Sequence, residues 1–426
     1  MKKILFVFSV ITGCLIMTPV FANMPLTQPG DTISHITVTG KIIDNDSEKP
    51  VVFASIYLDS GNKGTVSNSE GEYVLKIPRG KINQVVEFSH LGYKTLQLPA
   101  RELITEGENI IRMESSSVTL DEITVKPEDA LAIINSTLKR VKDNYPLEPV
   151  ILTGFYRETI KQNRKYVSVT EALVDIYKAP YFPTYQDDQL KIFKGKKSQD
   201  VEKMDTVLVK LQGGPSTVLY LDIVKNPYEL IETDIQQFYD YNIEDIVNMD
   251  GKETFVISFD QKKGVKYPLF SGKIYIDRET YAIRRADFGL SEKGLDYATG
   301  VLVKKKPLFM NVEPTGANYL ANYKEIDGKL YLNYVRAEAQ FKIKWKRKLF
   351  NTRIYTMSEM AIIDRDTTNV NRFKYRETAR PSDVFADEVG FYEDKNFWGE
   401  YNYIKPEESI QEAILKIEER LNRSRN

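Results

Sequence analysis

Between residues 36 and 114, apolar and polar positions alternate with a period of two over short runs, and glycine-containing turns interrupt them. This pattern predicts strands near 36–43, 51–58, 63–67, 72–77, 83–89, 93–98 and 108–113. Many short strands at this spacing predict an antiparallel β-sandwich. After Pro127 the period changes: Ala130, Ile133, Ile134, Leu138 and Val141 fall at helical spacing, and Asn144-Tyr145-Pro146 ends the run.

Strand character then dominates to about residue 365. The clearest runs are Glu253–Asp260, Gly272–Asp277, Ala282–Leu290, Tyr319–Ile326, Lys329–Ala337, Gln340–Phe350 and Arg353–Ile363. Asp327-Gly328 between two such runs predicts a tight hairpin. Residues 365–405 are polar and aromatic with little period. Pro406 opens a final helix whose stripe of Ile410, Ala413, Ile414, Ile417 and Leu421 requires docking onto the sheet. The expected fold is mainly β, of the α+β kind. A sandwich at 36–114 and a linker at 115–127 precede a larger antiparallel-sheet domain at 128–426, with a leading helix and a C-terminal helix.

The first domain carries Gly40-Lys41-Ile42-Ile43-Asp44, then Pro50 with Ala54-Ser55-Ile56, then Gly64-Thr65-Val66-Ser67-Asn68 with Gly71-Glu72-Tyr73, and finally Leu91-Gly92-Tyr93. As an ordered set these residues resemble the carboxypeptidase-like regulatory domain, a transthyretin-like sandwich. The resemblance implies an accessory domain and no peptidase activity of its own. Leu120–Val125 resembles the segment that introduces the plug and barrel in TonB-dependent receptors carrying this sandwich. Only about three hundred residues follow, too few for a plug and a barrel of about twenty-two strands at ~10 residues each. Three stretches of the second half resemble uncharacterised envelope proteins: Gly154–Glu158, Leu211–Pro215 and Phe397–Asn402. That resemblance implies address and architecture only.

The N-terminus supplies a matching address. Lys2 and Lys3, an apolar run from Ile4 to Met17 and Val20-Phe21-Ala22 predict a signal peptide over residues 1–22. The run is too short to remain as a membrane span. Ile11-Thr12-Gly13-Cys14 resembles a lipobox, but Leu15-Ile16-Met17 stays apolar after the cysteine, so cleavage before Asn23 is preferred to acylation at Cys14. Cys14 is the only cysteine of the chain, so the processed protein has neither disulfide nor thiol nucleophile. Export to the periplasm or cell surface of a Gram-negative bacterium follows. The chain has 426 residues, with 59 Lys plus Arg against 60 Asp plus Glu, and this balance excludes a nucleic-acid partner.

Candidate chemistry is sparse. The only histidines, His35 and His90, form no zinc pairing and no triad with a Gly-x-Ser-x-Gly elbow, and His90 reads as a structural turn residue. Lys194-Gly195-Lys196-Lys197 lacks the spacing of a phosphate loop and reads as a solvated turn. Asp44–Glu48 and Asp364-Arg365-Asp366 read as ordinary turns and not as calcium loops. No catalytic residue, metal ligand or cofactor site is expected. The carboxylates Glu158, Glu171 and Asp175 would serve a hydrolase if two of them faced each other.

The sharpest surface feature is Phe341–Lys348. On a strand, Lys342, Lys344, Lys346 and Lys348 share one face while Phe341, Ile343 and Trp345 share the other. These lysines form a candidate anion-binding ridge for lipid headgroups, lipopolysaccharide phosphates or acidic glycans. The leading expectation is therefore a non-enzymatic binding or assembly module of the envelope, with a protein, glycan or lipid headgroup as partner. The alternatives are an accessory part of a TonB-dependent uptake system and a carboxylate-dependent hydrolase.

Overall fold

The computed structural model describes residues 35–425 except 59–60, 105–106, 117–128, 184–185, 200–213, 250, 304–309, 346–350 and 395–396. The expected signal peptide with Cys14, most of the linker, the Leu120–Val125 segment, Lys346 and Lys348 all lie outside the described residues, as does the Trp345 side chain.

The first seven strands build the sandwich. β1 (His35–Asp44), β4 (Glu72–Pro78) and β7 (Asn109–Met113) form a three-stranded sheet in the order β4-β1-β7. β2 (Ser55–Leu58), β3 (Lys63–Val66), β5 (Val85–Ser89) and β6 (Leu96–Pro99) form the facing layer in the order β3-β2-β5-β6. Alternate residues of both layers, among them Val38, Ile42, Ile56, Tyr73, Leu75 and Phe88, fill the core between them. Two expectations are corrected here. β1 and β7 run parallel, so the sandwich is not wholly antiparallel. The run 51–58 is a strand only from Ser55, because Val51–Ala54 turns and puts Phe53 in the left-handed region (φ 57°).

The second part is one long antiparallel sheet. Its strands are β8 (Val150–Gln162), β9 (Lys165–Lys178), β10 (Gln189–Gln199), β11 (Tyr239–Met249), β12 (Lys252–Gln261), β13 (Phe270–Asp277), β14 (Ile283–Leu290), β15 (Met310–Ile326), β16 (Lys329–Trp345) and β17 (Thr352–Asp366). The order runs β11-β12-β13-β14-β15-β16-β17-β8-β9-β10. The pair Asp364↔Lys63 joins β17 to β3 of the sandwich. The runs expected at 329–337 and 340–350 are a single strand over Lys329–Trp345, since nothing interrupts the alternation between them. Asp327 (φ 51°) and Gly328 (φ 73°) make the expected hairpin. Register shifts on several strands, including Ile160/Lys161, Pro314/Gly316 and Asn322/Tyr323, bend the sheet.

The sheet's inner face packs on the leading helix (Ala130–Lys139) through Ala130, Ile133 and Ile134, and on short helical turns between residues 214 and 236. The C-terminal helix (Glu408–Arg425) buries Ile410 and Ile417 and lies on β9 and β10, as its apolar stripe requires. Among the described residues no helix is long and apolar enough to cross a membrane.

Candidate functional site

The outer face of β16, β17, β8 and β9 carries the sandwich at one end. There the register aligns Arg336, Glu359, Arg157 and Glu171 in one row across the four strands. Arg157 donates to Glu171 (Nε–Oε1 2.8 Å) and to Glu359 (Nη1–Oε1 3.1 Å), and Arg336 Nη1 lies 3.1 Å from the other oxygen of Glu359. Tyr334 OH donates to Glu359, and Arg157 Nη2 donates to the Ile404 carbonyl at 2.6 Å. Burial works against the Arg157 charge, but its two carboxylates outweigh that and raise its pKa. The centre of this ladder is closed to water, with Arg157 1% exposed and Glu171 and Glu359 2% each, and only Arg336 at its end is half-buried.

Its cover is a strap at residues 397–405. Trp398 and Tyr403 stack at 3.9 Å, and both rings pack on Phe155. The strap also grips the sandwich. Asn402 Oδ1 accepts the Lys76 N–H of edge strand β4 at 2.6 Å, which closes an exposed strand edge. Lys76 Nζ donates to the Trp398 and Gly399 carbonyls, Thr65 donates to the Tyr403 carbonyl, and Lys405 pairs with Glu72. From the sandwich side, Phe53 stacks on Tyr334 at 5.2 Å with the Arg336 guanidinium 5.0 Å from its ring. Its left-handed backbone is the strained element that aims this ring at the sheet.

Further along the same face the cover ends. The next rows are Glu338–Met357–Thr159, Gln340–Tyr355–Lys161 and Lys342–Arg353. Lys342, Lys344 and Arg353 are exposed, whereas Phe341 and Ile343 point through the sheet into an inner cluster with Ile160 and Ile354. The alternation expected of the ridge is therefore present for Lys342 and Lys344. A groove of about 440 Å³ opens among Thr315, Gln340, Lys342, Asn351, Arg353 and Tyr355. A hollow of about 180 Å³, which shares Gln340 and Tyr355, continues to Thr159, Lys161 and Tyr166. The register sets Glu313 opposite Lys342, and Glu338 and Glu407 line the hollow, Glu338 paired with Arg336. The cations at this end are Lys161, Lys342, Lys344 and Arg353.

The candidate carboxylates do not converge. Glu171 shares its face with Arg157, and Asp175 follows on that outer face with Thr153. Glu158 points to the inner face, so Glu158 and Glu171 sit on opposite sides of the sheet. Burial pushes the Glu158 carboxyl up to about 7, and its hydrogen-bond donor is Tyr156 OH at 3.0 Å. Other expected features become ordinary structure. Lys194–Lys197 lies within β10 and not in a turn, with Lys194 paired to Asp394 and Lys196 to Glu418. Asp44 spends an oxygen on the backbone N–H groups of Asp46 and Ser47. Asp364 pairs with Lys63 and Arg365 with Asp327.

Of the three stretches singled out in the second half, Leu211–Gly213 lie outside the described residues, and the remaining parts meet around β8. Phe155 and Arg157 meet the strap, while Tyr156 packs edge-on against Phe385 from the other face. Gly214, in the left-handed region (φ 45°), lies so close that a Cβ there would collide with Phe385. No local pattern marks the second buried network, in which Asp222 accepts from Tyr181 and Tyr323 at 2.8 Å each and pairs with Lys178 at 2.7 Å. Lys178 is paired with Asp188 as well, so this network is saturated and holds the inner core together.

Residues 38–125 match the CarboxypepD_reg-like domain family. The match extends over the Leu120–Val125 hexamer. No curated protein matches the chain. Among solved structures, a LolA superfamily protein from Nitrosomonas europaea is 13% identical, covering 58% of this chain and 98% of that one, with a TM-score of 0.19. A putative outer membrane lipoprotein-sorting protein domain from Vibrio parahaemolyticus is 10% identical over 57% and 96% of the two chains, with a TM-score of 0.26. At these scores the likeness bears on neither fold nor function.

Proposed function

We propose that the protein is a non-enzymatic binding module of the bacterial envelope and that it engages anionic groups through the open end of its outer face. One observation carries this reading: the same sheet face is sealed at one end by the sandwich and strap, and at the other leaves Lys342, Lys344 and Arg353 exposed, with Lys342 and Arg353 lining a groove. The expected signal peptide supports the envelope as the location. The hydrolase reading loses its basis, because Glu158 and Glu171 lie on opposite faces of the sheet.

The test is co-sedimentation of the full chain with vesicles containing anionic phospholipid, alongside pull-down on an immobilised acidic polysaccharide. Binding to at least one of them should weaken as salt rises. Replacing Lys342, Lys344 and Arg353 together by Gln should weaken it roughly 100-fold, at ~1 kcal/mol per cation near an anionic surface. Retention by neither, or equal retention of the triple variant, overturns the proposal.

A further inference from the structure

Where the sandwich meets β14 and β15, a cavity of about 30 Å³ lies among Ser89, His90, Arg285, Asn322, Tyr323 and Lys324. Three of the polar atoms on these residues are shut off from solvent and lack a partner: His90 Nδ1, Arg285 Nε and Asn322 Oδ1. Arg285 and Asn322 are register partners on the outer face, and His90 comes from the sandwich, at the end of β5. Buried polar atoms are very rarely left unpaired, because each one costs about 1–3 kcal/mol.

The chemistry of the trio selects its occupant. Arg285 Nε carries a hydrogen, Asn322 Oδ1 is an acceptor, and Nδ1 of a neutral imidazole with its proton on Nε2 is an acceptor. One water molecule satisfies all three, since it accepts from Arg285 and donates to His90 and Asn322. An anion would face two acceptors. The volume suits a molecule of this size, as a water needs about 10–15 Å³ of such space.

We infer that one water molecule bound by His90, Arg285 and Asn322 completes the junction between sandwich and sheet, and that protonation of His90 opens this junction. A protonated ring would carry a hydrogen on Nδ1 and could no longer accept from the water, and its charge would face cations. Arg284 faces it paired with Asp277 and Glu325, Arg285 paired with Asp287, and Lys324 paired with Glu87. The other titratable neighbour is Tyr93, whose ring lies 5.5 Å from His90. No carboxylate among the described residues is bonded to the imidazole. Burial, and then Arg285, lower the His90 pKa to about 4, against the backbone hydrogen bonds at Leu91 and Val52 that act to raise it.

The chain has only two histidines, so imidazole NMR on the full-length protein reads the site directly. The His90 resonances, identified by their loss in His90→Gln, should show a neutral ring protonated on Nε2 at pH 7. Hydrogen-exchange protection of the backbone at 89–92, corrected for intrinsic rates and referred to β12, should fall about 100-fold between pH 6.5 and 4. In His90→Gln it should not depend on pH. A proton on Nδ1 at pH 7, an unchanged protection factor, or an equal fall in the variant overturns the inference. If His90→Gln does not fold, the tautomer and the wild-type protection profile decide alone. A crystal structure with ordered solvent that shows the cavity empty or filled by an anion also overturns it.

Discussion

The two ends of one sheet face follow opposite rules. At the sandwich end Arg157 is flanked by two carboxylates, a backbone carbonyl and the strap, and every charge has a partner. At the open end Lys342, Lys344 and Arg353 lie in water beside a groove, with Glu313 in register with Lys342 and Glu338 already paired to Arg336. Both ends use the same strands and the same alternation, so the cover makes the difference and the strand pattern does not. Buried charges must be matched because desolvation is costly, whereas exposed ones cost almost nothing and stay available to a ligand.

The comparison breaks most sharply at Arg157. Arg157→Ala leaves Glu171 and Glu359 buried without their shared cation and should destabilise the protein by about 3–5 kcal/mol in urea unfolding. A loss below 1 kcal/mol would mean that the ladder is wet. Glu158, in the next row and on the reverse face, is a buried carboxyl with no cation bonded to it among the described residues. Its pKa is raised from 4.5 to about 7, so the folded state holds the proton more tightly than the unfolded state does. Its contribution is therefore intact below pH 4.5 and is lost as pH rises through 7, by at most about 3 kcal/mol. Glu158→Gln should flatten the stability profile between pH 5 and 8 in thermal unfolding, and an unchanged slope would place the titration elsewhere. The smallest effect belongs to the open end. Lys342→Gln with Lys344→Gln should shift stability by no more than about 0.5 kcal/mol in the same assay while reducing anion binding. A larger loss would show that these lysines hold the fold.

The sequence pattern made one end of this face legible and hid the other. At Phe341–Lys344 one side of the strand is apolar and the other solvated, so a period of two names both sides. In β8 both sides are buried, the period vanishes, and Phe155-Tyr156-Arg157-Glu158 shows only as a strand with charges in it. The partners of Arg157 lie 14 and 202 residues away, a separation that no local pattern records. The strap shows no period either, and Phe397–Asn402 stands out only by resemblance, because it acts through backbone carbonyls, Asn402 and stacked rings that need no repeat. The sandwich was the most readable part, since its strands are short, its turns carry glycine and its core is local. Its two errors there, Phe53 and the parallel β7, both arise from long-range pairing.

The strap has a consequence for how the protein is made. Its hydrogen bonds to Thr65 and Lys76 span 338 and 326 residues. Both partners of this clasp are synthesised long before it, so the outer face stays unfinished until residues 397–405 have been delivered. Contacts of such long separation form late. A chain interrupted before residue 397 would carry both sheets and yet display an aromatic patch and a row of bare ions. The strap thus works as a late seal on a face whose other parts are already in place.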